Sequence, residues 1–375
     1  MELYLHIPFC VRKCHYCDFL SFPTDGAAAD AYLQALLRDV REASALYGNE
    51  PVRSVYFGGG TPSLLPADAL PGLLAAVRSA FSLREDCEIT VECNPGTLSE
   101  EKLSAYRLAG VNRLSIGVQS AHDAELRRLG RIHTWRDALD AFDMARRAGF
   151  RNLSADVMAA LPGQTLSDYE ETLKRVIALS PEHISAYDLI VEEGTRFAQW
   201  YEEQPEAFPD EETSCRMYRR TVELLAEAGY RQYEISNYAK PGYESRHNYG
   251  YWSNEPYLGL GLGASSYVPP RRFRNTSDPE QYLRANRIEE EVVLTEQEQR
   301  EEFFFLGLRR TAGICREEFA ARFPGADFSP YERTLLRFAE RGLVTCRDGR
   351  FALTVDGMLV SNAIFAELGL AGELL

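Results

Sequence analysis

Short apolar runs alternate with longer amphipathic stretches along the first half of the chain. The short runs are rich in β-branched and aromatic residues, and they predict strands at Leu3–Ile7, Ser54–Phe57, Glu88–Glu92, Arg113–Gly117, Leu153–Val157 and His183–Leu189. Apolar residues at helical spacing between them predict helices at Asp30–Ala43, Ala67–Ala80, Glu101–Ala109, Ala124–Leu129, Trp135–Ala148 and Ser167–Leu179. Ser167 and Glu170 have the spacing of a capping box, so we expect the last helix to begin there.

This alternation of strands and helices is typical of a parallel sheet whose strands are joined by crossover helices. Six strand–helix units are too few for a closed barrel of eight. We therefore predict an α/β fold built on a partial (β/α)6 barrel. The carboxyl ends of parallel strands meet at one edge, and we expect the active site at that edge.

The pattern changes after about residue 210. A helix is predicted over Glu211–Ala228, and Gly229 is a plausible stop signal for it. A segment rich in Tyr, Asn and Gly follows, and then a glycine-rich run at 258–267 and a basic loop at 269–278. These features indicate an extension of the barrel over residues 211–290.

A second boundary lies near Thr295, where Thr295 and Glu298 again have capping-box spacing. An apolar helix continues from there through Leu308, and two shorter helices and a hairpin come after it. Those later elements are predicted at Arg316–Arg322, Pro330–Arg341, Leu343–Cys346 and Arg350–Leu353. This order is typical of a winged helix, so we treat residues 1–210, 211–290 and 291–375 as three units. Because the last unit is not basic, we expect an interaction or lid module rather than a DNA-binding one.

The composition of the chain argues against some classes of function. The 375 residues are 45% hydrophobic and carry a formal net charge of −15, which argues against nucleic acid as a general partner. No stretch approaches the ~18 consecutive apolar residues that a membrane span needs. The N-terminus also lacks the pattern of a signal peptide. We therefore expect a cytoplasmic protein whose contact with membranes is at most transient.

Three of the eight cysteines, Cys10, Cys14 and Cys17, form a C-x3-C-x2-C motif. A cysteine cluster in a reducing compartment indicates metal binding or catalysis more than disulfides. Three thiolates are one short of a closed zinc site and one short of a fully ligated iron–sulfur cubane, so one iron would stay open. A zinc site completed by His6 or His15 is the alternative, and dithiol chemistry at Cys14 and Cys17 is a weaker one.

A glycine-rich loop, Gly58–Pro62, directly follows a predicted strand. Glycines expose backbone N–H groups and let the chain approach a ligand closely, although a simple turn is the plainer interpretation. Polar residues also stand at or just beyond the ends of the later strands: Glu92, Gln119, Arg131 and Asp156. Carboxylates suit ribose hydroxyls, and Arg or Gln suits carboxyl and amide edges. The plainer interpretation of the carboxylates is helix capping or ion pairing.

The cysteine motif within YLHIPFCVRKCHYCDF, taken with GGGTP, resembles the radical S-adenosylmethionine (SAM) superfamily. The closer resemblance is to the oxygen-independent coproporphyrinogen III oxidase family, and within it to the heme chaperone (HemW) branch. The resemblance implies a [4Fe–4S] cluster on Cys10, Cys14 and Cys17, with SAM bound at the open iron. It also implies a set of SAM-contacting residues: Tyr4, Tyr16, Gly59, Gly60, Thr61, Glu92, Gln119, Arg131 and Asp156.

Three features favour the chaperone branch over the oxidases. The oxidases resembled here carry a fourth cysteine where this chain has Phe19, and they carry a longer extension than the nine residues before Cys10. His247–Trp252 matches the H-N-x-x-Y-W motif of the chaperone branch, which implies contact with heme through His247. From chemistry alone, a histidine beside aromatic residues is more often a packed or hydrogen-bonded one.

The resemblance therefore implies heme as a third cofactor and heme-accepting proteins as partners. An electron donor is implied as well if SAM is cleaved. The alternative function is oxygen-independent oxidation of coproporphyrinogen III, in which a radical abstracts hydrogen from a propionate side chain.

Overall fold

The computed structural model describes residues 1–23, 26–285 and 288–369. Six strands alternate with helices in its first half, as the sequence predicts. The strands are β1 (Glu2–Ile7), β2 (Val52–Gly59), β3 (Leu83–Cys93), β4 (Arg113–Gln119), β5 (Leu153–Ala159) and β6 (His183–Asp188). The helices are α1 (Gly26–Tyr47), α2 (Ala69–Ala80), α3 (Glu100–Ala109), α4 (Asp123–Leu129), α5 (Trp135–Arg147) and α6 (Leu166–Ala178).

The segment after β6 adds strands to both edges of this array. Its elements are α7 (Arg196–Glu203), α8 (Glu211–Glu227), β7 (Arg231–Gln232), β8 (Asn237–Ala239), α9 (Arg246–Trp252), β9 (Tyr257–Leu260), β10 (Ser265–Val268), β11 (Arg271–Asn275), α10 (Pro279–Leu283) and β12 (Ile288–Val293). Within the described residues they complete a 12-stranded sheet in the order β12-β11-β10-β9-β1-β2-β3-β4-β5-β6-β8-β7. Strands β1 to β6 are parallel and in sequence order, so the predicted open (β/α)6 arrangement is confirmed.

Residues of opposite polarity alternate along the six parallel strands. We call the apolar side the outer face, and it packs against helices α1, α2, α3, α5 and α6 in one continuous core. The outer-face positions include Leu3, Leu5, Val55, Phe57, Ile89, Val91, Leu114, Ile116, Ala155 and Ile184. The side chains at the intervening positions point to the other side, since successive residues of a strand face opposite ways.

That second side, the inner face, is polar. Its residues form rows across the strands, for example Glu2, Ser54 and Glu88, and in the next row Tyr4, Tyr56, Thr90 and Arg113. Arg113 is 1% exposed, and two of its nitrogens, Nε and Nη1, have no hydrogen-bond partner among the described residues. The barrel interior is therefore a buried polar surface rather than a packed apolar core.

One capping prediction was wrong. Helix α6 begins at Leu166, one residue before the expected start, because the capping box is formed by Thr165 and Asp168. The Thr165 backbone N donates to Asp168 Oδ2 at 3.1 Å, and the Asp168 N donates to Thr165 Oγ1 at 3.2 Å. Glu170 instead forms ion pairs with Lys174 and Arg220.

The chain closes with a separate cluster of helices around a small sheet. Its elements are α11 (Glu296–Gly307), β13 (Ile314–Cys315), α12 (Arg316–Arg322), α13 (Ser329–Glu340), β14 (Val344–Arg347), β15 (Arg350–Leu353), α14 (Val355–Leu359) and α15 (Ser361–Glu367). The capping box at Thr295 and Glu298 is confirmed. Aromatic rings dominate the core of this winged-helix-like module, among them Phe304, Phe319 and Phe328. Across the described ranges, every helix is too short or too polar to cross a bilayer.

The buried Glu2 carboxyl on the inner face makes the free energy of unfolding depend on pH. Glu2 is fully buried, and burial raises its pKa to about 8 even though Arg53 lies 3.1 Å away. The folded state thus holds a proton that the unfolded chain releases near its ordinary pKa, so the stability this provides is lost as the pH rises through about 8. We expect the free energy of unfolding to fall between roughly pH 6.5 and 8, and Glu2→Gln to reduce that fall by about 1 kcal/mol.

Urea unfolding at several pH values measures this difference. Glu85→Gln is the matched control, because Glu85 lies on β3 with its side chain exposed. An equal pH dependence in the wild type and in Glu2→Gln would contradict the assignment.

Candidate functional site

A cavity of about 460 Å³ lies at the carboxyl ends of the inner-face strands, where the sequence predicts the site. Eleven predicted site residues line it together. They are Cys10, Cys14, Tyr16, Cys17, Gly59, Gly60, Thr61, Glu92, Gln119, Arg131 and Asp156. The two other predicted residues, Tyr4 and His247, lie behind its wall.

Hydrogen bonds fix the cysteine loop between β1 and α1 at its base and at its tip. At its base, the Phe22 N donates to the carbonyl O of Pro8 and the Cys10 N donates to that of Phe22. At its tip, Arg12 Nε donates to the carbonyl O of Gly130 at 3.0 Å, and the His15 N donates to the carbonyl O of Leu129, the last residue of α4, at 3.0 Å. The loop therefore holds its three cysteines against the strand ends without help from a disulfide.

The three thiols fit an iron–sulfur cubane better than a single metal ion. All three are half-buried and line the same cavity. Among the described residues, no three His, Cys, Asp or Glu side chains converge closely enough for one ion, whereas a cubane spreads its ligands over separate irons. His6 and His15, the fourth ligands of the zinc alternative, have both ring nitrogens engaged elsewhere.

Two of the three sulfurs have polar or charged neighbours. Arg131 Nη1 lies 3.8 Å from Cys14 Sγ, and Thr61 Oγ1 lies 3.5 Å from Cys10 Sγ. Arg131 itself is fixed by a 2.9 Å hydrogen bond from Nη2 to the carbonyl O of Gly117. Iron–sulfur clusters are held by thiolates, so a guanidinium at this place can offset the negative charge that such ligands carry.

The glycine loop is shaped by its protein neighbours as well as by the cavity. Gly59 has a φ of +112°, and a side chain there would overlap the ring of His6. A Cβ on Gly60 would lie 2.7 Å from the carbonyl O of Phe9. The loop thus lies tightly against β1, and its Gly59 N–H donates to Glu92 Oε2 at 3.0 Å.

Two carboxylates form the polar wall of the cavity. Glu92 accepts hydrogen bonds from Gly59 N and from Tyr56 OH, the latter at 2.9 Å, and burial raises its pKa to about 7. Asp156 accepts from the hydroxyls of Ser115 and Ser154 at 3.0 and 3.3 Å. Burial also raises the pKa of Asp156, while the nearby Arg113 charge opposes that rise. Such carboxylates can accept hydrogen bonds from ligand hydroxyl or ammonium groups.

The Gln119 side chain reaches the cavity because the backbone at this residue has an unusual conformation. Its φ is +66°, and the pairing of β4 with β5 shifts register between Gly117 and Gln119. Left-handed conformations of non-glycine residues store strain and often mark functional positions. The shift ends the regular alternation of β4 and brings the Gln119 side chain to the cavity wall.

Tyr4 and His247 pack against the cavity wall from behind. The Tyr4 hydroxyl is 3.0 Å from His6 Nδ1. His247 is 1% exposed, with Nδ1 2.9 Å from Ser54 Oγ and Nε2 2.9 Å from Tyr251 OH. Burial, together with the Arg113 charge, lowers the pKa of His247 to about 3. Because both ring nitrogens are engaged, contact with heme iron would require one of these bonds to open, and that contact stays a prediction.

The sequence analysis missed several lining residues, Tyr56, Ser115, Asp188 and Asn248 among them, and the apolar character of the cavity mouth. For Asn248, its position next to His247 in the motif was the available signal. Exposed apolar side chains surround the entrance, and we call them the apolar rim: Val11, Phe19, Ile132 and Ile190. Their exposed fractions run from 39% at Ile132 to 69% at Ile190, which is unusual for a cluster of large apolar residues.

Comparisons with known proteins agree with this geometry. A family model of the Radical SAM superfamily matches residues 4–176, and a model of the HemN C-terminal domain matches residues 294–360. The first match contains the cysteine loop and every predicted SAM-contacting residue, and the second lies in the winged-helix-like module.

Individual relatives cover most of the chain. It is 38% identical over 368 residues to the heme chaperone HemW of Bacillus subtilis (strain 168), with 96% of this chain and 97% of that protein covered. It is 39% identical over 327 residues to the heme chaperone HemW of Escherichia coli (strain K12), with 86% and 85% covered. Among solved structures, coproporphyrinogen III oxidase (HemN) from Escherichia coli has a TM-score of 0.85 at 24% identity, covering 98% of this chain and 89% of that one. At that identity the likeness shows the fold alone.

Proposed function

Because the chain belongs to the HemW family of heme chaperones within the radical SAM superfamily, we propose that it binds heme, a [4Fe–4S] cluster and SAM, and transfers heme to acceptor proteins. One observation carries this proposal. The three cysteines, the polar residues suited to SAM and a rim of exposed apolar side chains all surround a single cavity.

Cys10, Cys14 and Cys17 would hold the cluster, and the iron without a protein ligand would face the cavity. Glu92, Gln119, Arg131 and Asp156, with the Gly59–Thr61 loop, would hold SAM beside it. Cluster-bound SAM supplies reductive cleavage of a carbon–sulfur bond when an electron donor is present. The protein's part is to position the ligand and to shield it from water, which the buried inner face provides.

The apolar rim supports heme as the third ligand. Heme presents a flat apolar ring, and the rim offers exposed aliphatic and aromatic side chains at the entrance of the cavity. Large exposed apolar patches mark binding sites in soluble proteins. Phe19, which is 68% exposed, stands where the resembling oxidases carry a fourth cysteine. We propose that heme docks on this rim. The H-N-x-x-Y-W motif makes His247 a candidate for heme contact, but both of its ring nitrogens are hydrogen-bonded behind the cavity wall.

The partners follow from the same chemistry. Heme-accepting proteins are the recipients, and an electron donor is needed only if SAM is cleaved. The net charge of −15 does not favour nucleic acid, and any membrane contact is transient. The alternative activity, oxidation of coproporphyrinogen III, is less supported, because Phe19 replaces the fourth cysteine of the resembling oxidases.

Anaerobic heme titration of the cluster-reconstituted protein, with and without SAM, tests the proposal. We expect saturable binding in both cases. Conversion of coproporphyrinogen III to protoporphyrinogen IX by the pure protein would overturn a function limited to heme transfer. Failure to bind heme in either state would overturn the proposal itself.

Phe19→Asp tests the apolar rim. Phe19 packs little against the fold, so the change should leave stability intact while placing a charge against the porphyrin ring. Loss of one well-packed aromatic contact corresponds to about tenfold weaker heme binding. Leu108→Asp is the matched control, because Leu108 is 89% exposed on helix α3 and away from the entrance. Equal heme affinity in both variants would place heme elsewhere.

A further inference from the structure

We infer that helix α9, which carries the H-N-x-x-Y-W motif, serves the SAM pocket: Asn248 contacts the bound ligand, and His247 is a positioning residue for Glu92. The inference rests on the proposed function in that it takes SAM as the ligand of the cavity. It assigns residues 247 and 248 a role other than iron ligation.

Asn248 is the residue of α9 that we assign to direct contact with SAM. It lines the cavity together with Glu92 and Asp156, and it is partly buried. Its backbone N bonds to Ser245 Oγ at 3.4 Å, but its side-chain amide makes no hydrogen bond within the described residues. An amide offers both a donor and an acceptor, which the neighbouring carboxylates cannot. Asn248 thus adds a side-chain donor to a cavity whose two ionised carboxylates only accept.

His247 acts through Tyr56. The two rings are stacked, with centroids 4.8 Å apart and planes 19° apart. The Tyr56 hydroxyl donates to Glu92 Oε1, and Glu92 Oε2 accepts from the Gly59 N–H of the glycine loop. Three contacts therefore connect the motif histidine to both the carboxylate and the glycine loop of the pocket. If the His247 ring is removed, Tyr56 loses the surface that holds it at Glu92.

Helix α9 is fixed firmly enough for this role. The buried Glu88 carboxylate on β3 accepts hydrogen bonds from Ser245 Oγ, Arg246 N and His247 N at 3.4, 3.2 and 3.3 Å. A carboxylate at this place satisfies the free N–H groups of the first helical turn. Ser54 on β2 holds the His247 ring from the sheet side, and Tyr251 holds it from within the helix. The helix is thus anchored to two strands of the inner face.

The histidine's surroundings distinguish positioning from iron ligation. An iron ligand needs a free ring nitrogen with open space before it, and His247 has neither. A positioning role needs a flat ring in contact with Tyr56, which is what the structure shows. The two roles therefore respond differently to His247→Phe, which keeps a flat ring and removes both nitrogens.

Anaerobic calorimetry of SAM binding to the full-length, cluster-reconstituted protein tests the inference. We expect Asn248→Ala and His247→Ala each to bind SAM about tenfold more weakly than the wild type, and His247→Phe to stay within about threefold of it. Asn49→Ala, an exposed loop residue, is the control. Heme absorbance spectra of the same variants, which report the axial ligand, should match the wild type.

Wild-type SAM affinity in both Asn248→Ala and His247→Ala would overturn the inference and leave the proposed function intact. So would heme spectra that change equally in His247→Ala and His247→Phe while SAM affinity stays constant, since that result identifies an iron ligand. If the wild type binds no SAM despite a complete cluster, the SAM part of the proposed function fails and the inference fails with it.

Discussion

Cys14→Ser is expected to abolish the [4Fe–4S] absorbance of the anaerobically reconstituted protein. Three thiolates are the fewest protein ligands that hold a cubane with one open iron, and a serine hydroxyl is a poor substitute for a thiolate. Cys14 also carries the 3.8 Å contact with Arg131, so its loss leaves that guanidinium without its sulfur partner. Iron and sulfide should fall from about four of each per chain to near zero.

The absorbance spectrum and an iron and sulfide assay measure this loss. Cys346→Ser is the matched control, since Cys346 is exposed on β14 in the other module. Circular dichroism should be unchanged in both variants, because neither Cys14 nor Cys346 belongs to an apolar core. A Cys14→Ser protein with the wild-type spectrum would refute the assignment of the cluster.

Glu92→Gln is expected to weaken SAM binding by about 10- to 100-fold, which is the range for hydrogen bonds to charged groups. In the native chain both carboxylate oxygens accept, one from Tyr56 OH and one from Gly59 N. A glutamine replaces one of the two accepting oxygens by an NH2 group. That donor then faces another donor, either the Tyr56 hydroxyl or the Gly59 N–H. The change thus damages both the ligand contact and the loop beside it.

The same carboxylate gives SAM binding a pH dependence. Burial raises the pKa of Glu92 to about 7, and the ionised form is the one that can accept from a ligand. Wild-type SAM affinity should therefore fall as the pH drops through about 7, and Glu92→Gln should bind equally weakly across that range. Glu101→Gln, on the exposed side of α3, should keep both the affinity and the pH dependence. A Glu92→Gln protein with wild-type affinity would contradict the role of the carboxylate.

The barrel was predictable from sequence because its strands and helices are local features. Each strand run and each amphipathic stretch carries its own periodicity, and the order of the elements then implies parallel pairing. The flanking strands were not predicted. Strand β9 lies in the glycine-rich run and pairs with β1 from more than 250 residues away, and β7, beyond β8 on the other side of the barrel strands, is two residues long. Such pairings depend on tertiary contacts rather than on local pattern.

The site was predictable to the extent that its chemistry follows from residue type. The cysteines and the polar residues after the strands come together because parallel strands end at one edge. The surroundings of His247 were not predictable, since its partners Ser54 and Tyr56 are remote in sequence. The predicted start of α6 was wrong for a similar reason. Both Ser167 and Thr165 fit the capping pattern, and only the structure distinguishes them.

From the separation of the two faces of the sheet we expect the chain to fold before a cluster is loaded. The apolar contacts that drive folding lie on the outer face, and the cysteines and carboxylates lie at the end of the inner one. A newly synthesised chain can therefore reach its final shape before any iron arrives. Its three half-exposed thiols would then lie ready on a finished scaffold for a cluster that is loaded afterwards. By the same logic, oxidative loss of the metal leaves a folded chain that can be reloaded rather than one that must be degraded.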